Sequence, residues 1–152
     1  MLKGLHAHLA AFRHKRSRIV TLGAQGIVVD PDRRVLLVRH TYKRGWHFPG
    51  GGVRRGETVR QALARELEEE AGVGLTREPK LIGIYSQFDA FPGDHIVLYL
   101  VDAWTQSRPL HRNLEIAEQR FCALNDLPSG TTRGTSRRLR EVFAGVAQER
   151  FW

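Results

Sequence analysis

One cysteine, no acidic residue before Asp30 and no apolar run of 18 residues are the scarcities that say most about this chain. The cysteine, Cys122, stands in the apolar run RFCAL and has no partner for an intrachain disulfide, which fits a reducing cytoplasm. Without an 18-residue apolar run, no membrane-spanning helix is expected. His40 and His47 have no second histidine or cysteine at ligand spacing, so they read as hydrogen-bonded structural residues rather than metal ligands. There are no internal repeats and no low-complexity linkers, and 152 residues suit one domain with a sizeable core. Twenty-four basic residues against 16 acidic ones give a net charge of +8 and a sequence pI near 10.5. That balance admits a nucleic-acid partner, but the basic residues are spread along the chain, no nucleic-acid motif is present, and basic composition alone is weak evidence.

The acids that do occur are concentrated. Five of the sixteen (Glu57, Glu66, Glu68, Glu69, Glu70) fall between positions 57 and 70; outside that window 22 basic residues face 11 acidic ones. At about 3.6 residues per turn, Val59, Leu63 and Leu67 form an apolar stripe, and Glu66, Glu69 and Glu70 fan over roughly 100° at its edge, with Glu70 almost on the stripe itself. An ionised carboxylate on a packing face is costly unless something positive meets it. An oxygen-rich cluster of this kind suits a hard divalent cation, Mg²⁺ or Mn²⁺. Glu68 points to the opposite, solvated side. The competing reading is an ordinary solvated charged face. Upstream, Pro49 and three glycines allow close backbone approach, so that a carbonyl of Gly51 can join the carboxylates; Gly72 closes the helix as its C′ residue.

Read in order, Gly51, five residues, Glu57, seven residues, Arg65, Glu66, Leu67, any residue, Glu69, Glu70, any residue, Gly72 and Val73 match the Nudix box without a gap. At ordinary residue abundances, seven fixed letters coincide by chance on the order of once in 10⁸ to 10⁹ windows. The chain therefore resembles the Nudix hydrolase family over the 23-residue box, and with its flanks from about Ile19 to Pro128. Strands interleaved with helices indicate an α/β fold; the resemblance sharpens this to a mixed β-sheet sandwiched between helices. It implies metal-dependent hydrolysis of a nucleoside diphosphate linked to another moiety: a nucleoside triphosphate, a nucleotide sugar, an ADP-ribose-like compound or a dinucleotide. It also implies a metal site built from Glu66, Glu69, Glu70 and the Gly51 carbonyl, with Glu57 and Arg65 orienting them through a salt bridge. The general base stays open among Glu66, Glu69, Glu115 and Glu118. Two other readings remain, an RNA 5′-end pyrophosphohydrolase and a non-catalytic nucleotide-sensing module, although such modules usually lose box carboxylates and this chain keeps them all. Arg54 and Arg55 depart from the commonest pattern, where an acid often precedes the Gly-Glu pair; they favour a polyphosphate-rich substrate.

The remaining segments divide as follows. Residues 1–18 place Leu2, Leu5, Leu9 and Phe12 on one face of a helix ending in cations, a packing or homodimer arm, with a membrane-surface or nucleic-acid arm and a transit peptide as alternatives; residues 19–152 form the hydrolase domain. Ile19 to Val29 and Val35 to Val38 read as a hairpin about an Asp30-Pro31 turn with a buried second strand. In RHTYKRGWHF, which borders the substrate pocket in the family, Arg39, Tyr42, Arg44 and Trp46 are candidates to hold phosphates or stack on a base, against packing roles. Leu81 to Phe88 and His95 to Trp104 are expected strands and sheet neighbours, the second central because of its run IVLYLV; the loop between them carries Phe91, Asp94 and His95 as substrate-contact candidates. Thr105 to Asn113 reads as loop, and Glu115 or Glu118 in the EIAE element is a candidate extra acid for the metal site. Gln119 to Leu124 is strand-like, and Leu139, Val142, Phe143 and Val146 mark a terminal amphipathic helix over Thr135 to Ala147.

Overall fold

The computed structural model describes residues 19–152; the arm expected at residues 1–18 lies outside the described residues. Strand β1 (Thr21–Val28) is the hinge of the architecture because both its edges are taken. On one side it pairs antiparallel with β4 (Gly50–Gly52), and on the other it runs parallel to β7 (Asp94–Val101), which pairs antiparallel with β6 (Lys80–Ser86). The result is a mixed four-stranded sheet, β4-β1-β7-β6, with the IVLYLV strand inside it as expected.

The expected hairpin is only partly formed. The Asp30–Arg33 turn closes with the Arg33 N–H donating to the Asp30 carbonyl (2.9 Å), and one bridge joins Val29 to Val35. Beyond it β2 (Val35–His40) leaves β1, whose edges are occupied, and forms a second sheet between β3 (Trp46–His47) and β9 (Ile116–Cys122). β9 starts earlier than read from sequence and takes in Glu118; Cys122, the sole cysteine, is buried at its end. Trp104 does not extend β7 but opens β8 (Trp104–Gln106), which pairs with β5 (Val73–Leu75).

Helix α1 (Val59–Ala71) begins with a capping box. The Gln61 N–H donates to the Thr58 hydroxyl (3.2 Å), while the Thr58 N–H donates to the Gln61 side chain (2.9 Å). Gly72 ends the helix with φ of 61°, the left-handed C′ geometry anticipated from sequence. Because side chains alternate along a strand, Ala24 and Val28 of β1 pack against Leu63 and Leu67 of α1, while Ile27 joins Leu37, Phe48, Tyr85, Leu98 and Leu139 in a core on the other side. Gly26 lets α1 approach: a Cβ there would stand 3.3 Å from methyls of both Leu63 and Leu67.

The second core is closed by α2 (Arg133–Phe143), shorter at its C-terminal end than expected. It stops because Gly145 turns left-handed at φ of 66°, which leaves Val146 outside the helix and exposed. The chain then returns along β6, with the Ser86 N–H donating to Arg150 O and the Trp152 N–H to Ser86 O. The Trp152 indole stands edge-on to Phe48 and Tyr85. Arg138, fully buried, donates to the Phe151 carbonyl (2.9 Å) and to Glu141 (2.7 Å) and lies 4.2 Å over the Tyr85 ring. Among the described residues no helix is long and apolar enough to cross a membrane.

Candidate active site

The glycine strand β4 lies beside the acidic edge of α1, and Arg65 joins the two. Its guanidinium grips Glu57 through Nε–Oε1 (2.8 Å) and Nη2–Oε2 (3.0 Å), and also donates to the Gly52 carbonyl (3.0 Å), Glu66 (2.5 Å) and Glu69 (3.3 Å). The paired Arg65, helped by the Arg54 N–H, draws the Glu57 carboxyl down to about 2. A bidentate guanidinium–carboxylate pair fixes both partners in a plane, so Arg65 sets where Glu66 and Glu69 begin.

Glu66 rests on Gly51, where a Cβ would come within 2.5 Å of the carboxylate. Glu69 is half exposed at the rim, 4.0 Å from Arg54. Glu70 is the buried acid anticipated on the apolar stripe, its side chain 5% exposed. What meets it is the Gly50 N–H, 2.8 Å from Oε2. Burial first, and then the fields of Glu66 and Glu115, push its carboxyl up to about 8 against the pull of Gly50 and Lys43. His40 faces it at 3.8 Å; desolvation, with Lys43 and His47 nearby, draws its imidazole down to about 4. The sequence reading expects His40 to be hydrogen-bonded, yet its buried Nδ1 has no hydrogen-bond partner among the described residues. His47 does match that expectation, its ring bonding to the Arg44 carbonyl at 2.8 Å.

The ladder between β1 and β4 corrects the Gly51 assignment. Val53 donates to Leu22 O (2.8 Å) and Gly26 to Pro49 O (3.0 Å). Hydrogen-bonded pairs alternate along an antiparallel ladder, so Ala24 and Gly51, midway between, turn their backbone polar groups toward each other. Gly50 and Gly52 turn the opposite way, toward α1, where the Gly50 N–H donates to Glu70 and the Gly52 carbonyl accepts from Arg65. The two glycines therefore fail differently. Gly50→Ala would set a Cβ 2.1 Å from the Ala24 carbonyl at a φ of 147°, and a loss of several kcal/mol in urea unfolding is expected, of the order of ~2 to 4 kcal/mol. Gly51→Ala meets only a side-chain carboxylate; it is expected to fold with a loss under about 1 kcal/mol while displacing Glu66 and lowering metal-dependent activity. Equal stability losses in the two variants would refute this difference.

Other sequence candidates separate. Glu115 joins the cluster: with Glu69, Glu70, Asn113, Leu114 and Ile116 it lines a cavity of about 310 Å³. Glu118 does not, being paired across strands with Arg39 at 3.1 Å. Trp46 is 5% exposed and belongs to the core, with the Arg120 guanidinium 4.9 Å over its ring, so it is not available to stack on a ligand. Tyr42 is 69% exposed, its ring 5.1 Å from that of His40; Arg44 is exposed on the same segment. Asp94 and His95 begin β7, where Asp94 accepts from the Thr21 hydroxyl (2.6 Å) and His95 stands edge-on to Phe88; these contacts belong to the sheet end. Sequence reasoning passed over Arg108. It donates to the carbonyls of Glu68 and Glu69 at 2.7 Å each, holding the end of α1, and its isolated position in a polar loop gave no signal. Glu68, though exposed, accepts from the Ser107 hydroxyl (2.6 Å).

A divalent cation suits this donor set. The groups are carboxylate and carbonyl oxygens, which hard cations prefer, and a buried carboxyl raised to about 8 is a group short of positive charge. Among the described residues no three such side chains converge on one point as placed, because Arg65 holds Glu66 and Glu69.

Comparison with known proteins places the chain in a family. The NUDIX domain family model matches residues 21–143. An ADP-ribose pyrophosphatase of Methanocaldococcus jannaschii is 31% identical over 104 residues, 66% of this chain and 61% of that protein. An m7GpppN-mRNA hydrolase of Caenorhabditis elegans is 36% identical over 135 residues, 82% of this chain but 16% of the relative. The crystal structure of a MutT NUDIX hydrolase from Burkholderia pseudomallei superposes with a TM-score of 0.70 at 29% identity, covering 82% of this chain and 99% of that one. The chain belongs to the Nudix hydrolase family.

Proposed function

We propose that the protein hydrolyses the pyrophosphate linkage of a nucleoside diphosphate joined to another moiety, using Mg²⁺ or Mn²⁺. The observation that carries this reading is the row of Glu66, Glu69 and Glu70 on one edge of α1 beside the glycine strand, where the Gly50 N–H donates to Glu70, the Glu57-paired Arg65 holds Glu66, and Glu69 and Glu70 share a cavity with Glu115. When bound, the divalent ion neutralises phosphate oxygens and lowers the pKa of a water. Glu66, Glu69, Glu70 and the Gly50 carbonyl would hold it; Arg65 and Glu57 keep the carboxylates in register. Arg54, at the rim beside Glu69, supplies charge for the phosphates. A general base is drawn from Glu66, Glu69 and Glu115; Glu118, paired with Arg39 and outside the cavity lining, is the weaker candidate.

The relatives named above act on ADP-ribose and on capped mRNA, and either chemistry places a phosphoric anhydride against the acids. The net charge of +8 favours a longer polyanion as a second reading, RNA with a 5′-polyphosphate. A sensing module without catalysis is disfavoured by the full set of box carboxylates. The test is phosphate or pyrophosphate release from nucleoside triphosphates, nucleotide sugars, ADP-ribose, dinucleoside polyphosphates and 5′-triphosphorylated RNA, with each metal. Turnover of one class, abolished by chelation, is expected; silence across the panel from folded, metal-binding protein would refute the reading.

A further inference from the structure

A helix ends on its negative pole, where cations are stabilising and carboxylates are not. The last turn of α1 goes against that preference: Glu68, Glu69 and Glu70 fill it, and it holds no basic residue. Its carbonyls also face the shortage of partners common to helix ends. The Gly72 N–H still reaches Glu68 O (2.9 Å), but Glu69, Glu70 and Ala71 lie past the last main-chain donor of the helix. Ends of this kind fray, and this one carries two of the three acids proposed to hold the metal.

The missing donors come from one other stretch of chain, residues 106–119. The Gln106 side-chain amide donates to Ala71 O (2.7 Å), the Gln119 amide donates to Glu70 O, and Arg108 Nη2 donates at 2.7 Å to both Glu68 O and Glu69 O. Arg108 thus supplies from outside the cation that the turn lacks. Gly72 makes room for it: a Cβ there would stand 2.5 Å from Arg108 Cγ, so the stem lies across the helix end. Asn113 joins this brace to the cavity. Its Nδ2 is 3.5 Å from Glu69 O while its Oδ1 accepts the Glu115 N–H (2.9 Å), and Glu69, Glu70 and Glu115 line the same cavity.

Resting on the hydrolase reading, we propose that Arg108 is a positioning residue for the metal site: it keeps the last turn of α1 wound and thereby holds the Glu69 and Glu70 carboxylates beside Glu66. It acts on main-chain carbonyls, through the helix rather than on the ion. Glu66 lies one turn earlier, where Arg65 holds it at 2.5 Å. Loss of Arg108 therefore loosens the two later acids and spares the first.

The test compares the full chain with Arg108→Met, which keeps the stem over Gly72 and removes charge and donors, and with Arg108→Lys, which returns an ammonium to the same carbonyls. Amide hydrogen exchange in chelator reads the turn without metal. In Arg108→Met, protection at residues 69–72 should fall about tenfold, while at residues 63–66 it holds within about twofold. Mn²⁺ binding followed by electron paramagnetic resonance reads the site. Arg108→Met should bind the ion about ten- to hundredfold more weakly, and Arg108→Lys should stay within about threefold of the unmodified protein. Unchanged Mn²⁺ affinity in Arg108→Met, protection lost evenly along α1, or no recovery in Arg108→Lys overturns the positioning role and leaves the hydrolase reading in place. Absence of both Mn²⁺ binding and substrate turnover in the folded unmodified protein overturns the two together.

Discussion

Replacing Glu69 by glutamine is expected to lower turnover by about 10² to 10⁴, the range for loss of an acid–base or metal-holding carboxylate, with the fold left intact. The position explains the asymmetry. Glu69 is half exposed at the rim and receives Arg65 at 3.3 Å and Arg54 at 4.0 Å, contacts that an exposed pair makes at little energetic consequence. Thermal unfolding should therefore shift by no more than about 2 to 4 °C. Glu57→Gln acts one step removed, through the Arg65 clamp, and about a 10- to 100-fold loss is expected. Initial rates at saturating Mg²⁺, on whichever panel substrate turns over, decide the matter. Activity within tenfold of the unmodified protein in Glu69→Gln would remove that residue from the site.

A second large effect is expected in stability against pH, and its sign follows from two buried groups. Glu70, raised to about 8 in the fold, keeps its proton between pH 4.5 and 8, where the unfolded chain has lost it, so its contribution is lost as pH rises through that range. His40, lowered to about 4, is neutral in the fold between pH 4 and 6.5, where the unfolded chain is protonated, so its contribution grows with pH. The two oppose each other up to pH 6.5, with His47, also lowered by desolvation, on the side of His40; above it the fall due to Glu70 remains. In chelator, stability should fall by about 1 to 2 kcal/mol between pH 6.5 and 8, at most about 1.4 kcal/mol per pH unit for one proton. Mg²⁺ or Mn²⁺ should reverse that fall, since an ion bound only by the native state stabilises it. Urea unfolding at the two pH values, with and without chelator, reads both. Glu70→Gln should flatten the slope; an unchanged slope in that variant would assign the effect to another group.

Helical spacing alone placed Glu70 on a packing face and Glu66 and Glu69 beside it, because three carboxylates in one turn of an amphipathic helix have few places to go. Gly72 marked the end of the helix by local chemistry, whereas the Thr58–Gln61 capping box at its start, equally local, was passed over. The Gly51 carbonyl was misread because a string of glycines says nothing about ladder parity, and one residue of register turns every backbone group to the other side. Trp46 and Glu118 were open to two readings because their partners, Arg120 and Arg39, come from strands distant in sequence. The placement of Phe151 and Trp152 had no signature, five residues being too few to show a period. The apolar spacing that includes Val146 ran past the end of α2, since a left-handed glycine outweighs periodicity.

Cys122, the sole thiol of the chain, is buried at the end of β9 with its pKa raised by desolvation. A thiol reagent can reach it only when the core it shares with Leu37, Phe48 and Leu139 opens, and the sheet forming one wall of that core pairs β9 with β2, which carries His40 toward Glu70 and leads from Ile116 to the Glu115 side of the cavity. The protein thus holds a built-in clock for native-state opening: the rate at which Cys122 becomes modified measures how often this sheet breathes, and an ion or nucleotide that tightens the site should slow that clock.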